Sequence, residues 1–137
     1  MSSVDPAEVS GTLLLRQSFD TTSLAATRRL IRQRLAETGL PADRVETFTF
    51  AINEGLINAI MHGGGGGAVT VERAGDRLVA TVEDRRATAP FDLPTELPPP
   101  EAVGGRGLWL AGGSSDAIRL EPGQQGLRLV LEINLPG

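Results

Sequence analysis

Five consecutive glycines, Gly63 to Gly67, constrain this chain more than any other feature. A glycine costs a helix interior about 1 kcal/mol relative to alanine, so no helix runs through five of them. Whatever precedes Gly63 must end there, and whatever follows must start afresh. The segment before it, Ala42 to Met61, places Val45, Phe48, Ile52, Leu56 and Ala59 at spacings of three and four, the apolar stripe of a long helix. After the glycines, Val69 and Val71 begin a strand. Ala74-Gly75-Asp76 turns the chain, and Leu78, Ala80 and Val82 form the apolar face of a partner strand. The glycines themselves read as a mobile connector between helix and hairpin.

The remaining segments complete the pattern. Residues 1–11 read as a flexible tail, and 12–137 as a single domain of ordinary size. Leu13, Leu15 and Phe19 alternate with Leu14, Arg16 and Ser18 as a strand does. Asp20, Thr21 and Thr22 suit the start of a helix whose face carries Leu24, Ile31 and Leu35, and Gly39 and Pro41 stop it. Residues 85–103 hold Pro90, Pro94, Pro98, Pro99 and Pro100 without periodicity, the composition of a lid loop. A short helix is expected around Leu108, Trp109 and Leu110, then a short strand from Ala117 to Leu120. Pro122-Gly123 marks a turn, and Leu127, Leu129, Leu131 and Ile133 alternate as the final strand. The order β-α-α-β-β-lid-α-β-β segregates helices from strands. It predicts an α/β chain of the α+β two-layer kind, with a mixed, mostly antiparallel sheet and helices on one face.

Composition narrows the chemistry. All thirteen basic residues are arginine, so a phosphate-loop lysine or a Schiff-base lysine is excluded. There is no cysteine and His62 is the only histidine, which removes thiolate nucleophiles and multi-histidine metal sites. Seventeen acidic residues give a net charge of −4, which argues against a broad grip on nucleic acid or an anionic membrane. No apolar run approaches the ~20 residues of a membrane span, and the polar start of the chain lacks a signal core, so a cytoplasmic protein is expected. Chemistry is left to carboxylates, asparagine, hydroxyls, arginine, one imidazole and backbone amides.

Three clusters could carry it. Glu54, Asn58 and His62 stand at i, i+4 and i+8 and so line one face of the long helix, apart from its apolar stripe. A carboxylate there can act as a base, and an amide oxygen is a hard ligand suited to Mg²⁺. The same line also fits a solvated polar stripe, and His62 also fits a helix C-terminus. Gly104-Gly105-Arg106-Gly107-Leu108 offers backbone amides and a guanidinium to phosphate oxygens, or else a flexible turn. Asp84 ends a strand where the sheet meets the proline-rich loop, a place for ligand contact or for capping a turn.

The order of these clusters resembles the histidine-kinase-like (GHKL) ATPases, and within them the small RsbW-like anti-sigma factor serine kinases. Asn53-Glu54, Asn58-Ala59 and His62-Gly63 are similar to the N-box, and Gly104-Gly105-Arg106-Gly107-Leu108 to the second glycine box. The resemblance implies a Bergerat-type fold with ATP held between the long helix and the lid, by Asn58, His62, Asp84 and Gly104 to Leu108. It implies Asn58 as the Mg²⁺ ligand, Glu54 as the base for the acceptor hydroxyl and Asp84 as the acceptor for the adenine amino group. It also implies a homodimer that binds a sigma factor and phosphorylates a serine on an anti-sigma-factor antagonist. The first glycine box departs: Asp84 is followed by Arg85, Arg86, Ala87 and Thr88, where the family has two glycines. A non-catalytic sigma- or antagonist-binding module with a degenerate ATP site is the alternative.

Overall fold

The computed structural model describes residues 12–85, 115–124 and 126–136. Five strands and two helices are formed: β1 (Thr12–Asp20), α1 (Leu24–Ala36), α2 (Ala42–His62), β2 (Gly66–Ala74), β3 (Arg77–Asp84), β4 (Ala117–Pro122) and β5 (Leu127–Asn134). The strands make one sheet in the order β1-β2-β3-β5-β4, and every described pairing is antiparallel. Both helices pack on one face of it, α1 against β1 and α2 across β2, β3 and β5. This is the two-layer α+β architecture expected from the order of the elements. The lid, the short helix around Trp109 and the tail lie outside the described residues, apart from Arg85.

The two periodicities of the chain meet in a single core. Val45, Phe48, Ile52, Leu56 and Ala59, the stripe of α2, are all buried. They meet the inward residues of the sheet, among them Leu15, Phe19, Val69, Val71, Leu78, Ala80, Val82, Leu129, Leu131 and Ile133. From α1 come Ile31 and Leu35, with Leu40 beyond its end. The turn into α1 is organised by Asp20, whose Oδ1 accepts the N–H groups of Thr22 (2.9 Å) and Ser23 (3.1 Å) and the Thr22 hydroxyl (2.7 Å). These bonds, the Thr22 hydroxyl foremost, hold the Asp20 carboxyl below its ordinary pKa.

The glycine run is not the connector its composition suggests. β2 begins at Gly66, ahead of Val69: Gly66 pairs with Asp20, and Gly67 lies between Phe19 and Asp84. Only Gly63, Gly64 and Gly65 form the turn, and Gly64 (φ 87°) and Gly65 (φ 91°) adopt left-handed backbone that other residues resist. The strand register therefore starts right at the helix end.

The other end of α2 is tied to the far edge of the sheet. Arg44 Nη2 reaches both carboxylate oxygens of Asp116 at 3.3 and 3.1 Å, and Asp116 Oδ2 accepts the N–H of Asn134 at 2.7 Å. No helix among the described residues is long and apolar enough to cross a membrane. Because Phe48 is fully buried between the layers, Phe48→Ala should lower stability by about 3–5 kcal/mol. Urea unfolding should show the midpoint falling with an unchanged slope.

Candidate functional site

At its C-terminal half α2 comes unusually close to the sheet. Gly55 is the reason: a Cβ there would stand 2.8 Å from Leu129 Cδ2 and 3.4 Å from Val82 Cγ2. Asn58 and Ala59, one turn further on, then line a narrow cleft with Val82 and Asp84 of β3, Leu120 of β4, and Leu127 and Leu129 of β5. The cleft holds about 10 Å³, room for about one water. Its walls are aliphatic, and its polar side chains are those of Asn58 and Asp84.

Asp84 is only 4% exposed, which would be costly for an unsupported carboxylate. Its support comes from backbone. Oδ1 accepts the N–H of Leu127 at 2.9 Å. Gly63 lies so near that a Cβ there would come within 2.6 Å of Asp84 Cβ and Cγ. On the other side, a Cβ at Gly126 would collide with the Asp84 backbone and with Oδ1. The N–H of Arg85 donates to the Gly63 carbonyl at 2.8 Å, stitching the end of β3 to the end of α2. The carboxylate is thus clamped between two glycines that leave no room for any larger residue.

Glu54 and His62 occupy the same helix as Asn58, both half-buried, and neither is among the side chains lining the cleft. The Asn58 amide has no hydrogen-bond partner among the described residues. Burial pushes the Glu54 carboxyl above its ordinary pKa. Gly104, Gly105, Arg106, Gly107 and Leu108 lie outside the described residues. Reasoning from sequence brought Asn58 and Asp84 forward but missed Gly55, Gly126 and the Leu127 N–H. A glycine inside a strongly periodic helix was the available signal for Gly55, because its cost implies a close approach.

The model of the histidine kinase-like ATPase domain matches residues 18–133. The chain belongs to that family. No curated protein matches it. Among solved structures, it is similar to the crystal structure of the RsbU and RsbW domains of a Mycobacterium tuberculosis protein, with a TM-score of 0.64 and 23% identity. That likeness covers 88% of this chain and 31% of the other, so the chain spans about a third of the length of the protein it matches. At this identity the match speaks for the fold: an antiparallel sheet with two helices on one side, as the histidine kinase-like ATPases have.

The burial of Glu54 has a thermodynamic consequence. Between the ordinary glutamate pKa and the raised one, the folded state binds more protons than the unfolded state, so stability falls as pH rises through that window. Above the raised pKa the whole penalty is present. Glu54→Gln should therefore be more stable than the wild type at pH 7, with the advantage fading on acidification and gone below the ordinary glutamate range. Carbon-detected NMR titration of the Glu54 carboxyl, beside urea unfolding of both proteins across that range, checks it.

Proposed function

We propose that the chain is an ATP-dependent protein serine kinase that also binds a sigma factor and phosphorylates a serine on that factor's antagonist. The observation that carries the reading is the convergence of Asn58 and Asp84 on one cleft between helix and sheet in a histidine kinase-like ATPase fold. The likeness to a structure with an RsbW domain supports the partner-switching part.

Each residue has a distinct task in this reading. Asp84, held by the Leu127 N–H, accepts the amino group of adenine. The amide oxygen of Asn58 has no competing partner among the described residues, and Mg²⁺ commonly takes one or two protein oxygens alongside nucleotide phosphates, so the residue fits a metal ligand. Mg²⁺, when bound, neutralises phosphate charge. His62, one turn beyond Asn58 on the same helix and outside the cleft's lining, is a further nucleotide contact in this reading. Gly104 to Gly107 and Leu108 supply backbone amides to the phosphates, and Arg106 adds a guanidinium fork. Glu54 takes the proton of the acceptor hydroxyl. Burial raises its pKa, which makes its carboxylate a stronger proton acceptor than an exposed glutamate.

One observation favours the non-catalytic binding module instead. The cleft beside Asp84 admits about one water, so adenine enters only if Leu120 and Leu127 part. Arg86 and Thr88 also stand where the family has glycines.

Calorimetry with ATP and Mg²⁺, followed by transfer of radiolabelled phosphate to the antagonist beside a sigma-factor pull-down, separates the two. Asp84→Asn should weaken ATP binding by about 1–3 kcal/mol, the usual loss for a hydrogen bond to a charged group. Glu54→Gln should keep ATP and sigma-factor binding while transfer falls ~10²–10⁴-fold, and Asn58→Ala should lose nucleotide and transfer together. Sigma-factor binding without any heat from ATP would leave the binding module standing and remove the kinase.

A further inference from the structure

The face of the sheet away from the helices carries a different chemistry. Six charged side chains of β3, β4 and β5 are joined in a ladder there. Arg77 meets Glu132 at 2.6 Å, Glu132 meets Arg119 at 2.8 Å, and Arg119 meets Glu121 at 3.6 Å. Glu121 meets Arg128 at 3.8 Å, and Arg128 meets Glu83 at 3.0 Å. Within the ladder positive and negative charges are matched.

At its end the balance breaks. A groove of about 400 Å³ crosses the same face, lined by Arg16, Ser18, Ala68, Thr70, Glu83, Arg85 and Arg128, with Gly67 and Gln124. Arg128 is already met by Glu83 and Glu121. Arg16 and Arg85 have no acidic partner among the described residues. Two uncompensated guanidinium groups thus flank a hydroxyl-lined groove on a chain whose net charge is −4.

The sheet register sets the scale. Ser18, Ala68, Glu83 and Arg128 pair in a row across β1, β2, β3 and β5, and Arg16 pairs with Thr70 one step along. At ~4.8 Å between strands, the groove spans roughly 15 Å from the first to the last. Arg16 on β1 and Arg85 just past β3 stand two strand spacings apart, so a ligand that meets both must lie across β2. Four or five residues of extended chain, at ~3.3 Å each, match the groove. Ala68 keeps the floor low between them. Side chains two or four apart on such a segment point the same way, so two carboxylates can meet both arginines at once.

We propose that this groove binds an extended acidic segment of a partner protein, with one carboxylate on the fork of Arg16 and another on Arg85. The site lies on the opposite face of the sheet from the Asn58–Asp84 cleft and does not depend on the nucleotide reading.

The test is fluorescence anisotropy with the full chain and a labelled pentapeptide, Glu-Ala-Thr-Ala-Glu, beside its Gln-Ala-Thr-Ala-Gln counterpart. The acidic peptide should bind saturably and the amide peptide should not. Raising salt from about 0.05 to about 0.5 M should weaken binding at least about tenfold, because the contacts are between exposed charges. Arg16→Ala should weaken it about tenfold, Arg16→Lys less, and Thr70→Glu, which puts a carboxylate in the groove, should abolish it. Melting temperatures equal to the wild type's would tie these losses to the groove. The proposal is overturned by absence of saturable binding at millimolar peptide, by unchanged binding in Arg16→Ala, or by displacement with equimolar inorganic phosphate. It is also overturned if binding appears only after removal of residues 1–11, which would assign the groove to the chain's own acidic tail. A self-association seen by sedimentation and lost in Arg16→Ala would assign it to a second copy instead.

Discussion

The candidate site depends on the hydrogen bond between the Leu127 N–H and the carboxylate of Asp84, formed where no side chain intervenes. A carboxylate with 4% exposure is costly to bury unless fixed donors satisfy it. Here the start of β5 provides a donor, while Gly63 and Gly126 clear the space on either side. The same bond joins three elements: the end of β3, the start of β5 and, through the Arg85–Gly63 backbone bond, the end of α2. Holding the carboxylate and closing the fold are a single event. Substituting either glycine would displace the acid as well as the backbone.

Much of this was readable before any coordinates. The three-and-four spacing from Val45 to Ala59 delivered α2 and its buried stripe, because that helix faces a core on one side only. Alternation in Leu127 to Ile133 and in Leu78 to Val82 delivered two neighbouring strands of the sheet. Asn58 and Asp84 stood out by chemical type and turned out to share a cleft. What stayed hidden were close approaches. A glycine announces permissiveness, not which neighbour exploits it, so Gly66 and Gly67 read as slack when they are paired strand. Gly126 carried no signal in the sequence, although its missing side chain makes room for Asp84. The insertion of β5 between β3 and β4 rests on the long-range pairing of β3 with β5, which periodicity does not encode.

Consecutive residues of β3 serve opposite faces. Asp84 turns toward the helices and the cleft, while Glu83 and Arg85 turn toward the outer groove. The pleat of a strand makes this division unavoidable, since neighbouring side chains leave on opposite sides. The two faces accordingly differ in character. The inner one is aliphatic with a buried acid, and the outer one is a matched array of ions whose individual pairs are worth little in exposed surroundings. Such an array contributes less to stability than to the choice of what can lie against it.

The two ties on α2 have a geometric consequence. Past the end of β3, Arg85 is bonded to Gly63 at the C-terminal end of that helix, and just before β4, Asp116 is paired with Arg44 near its N-terminal end. From Arg44 to Gly63 the helix measures about 28 Å at ~1.5 Å per residue. A helix of this kind is a rigid strut, so it acts as a spacer bar between the end of β3 and the start of β4. Part of the entropy of bringing such distant points into a fixed relation is met by the folding of the domain itself. A displacement at one of the two ties is therefore resisted by the helix as a whole.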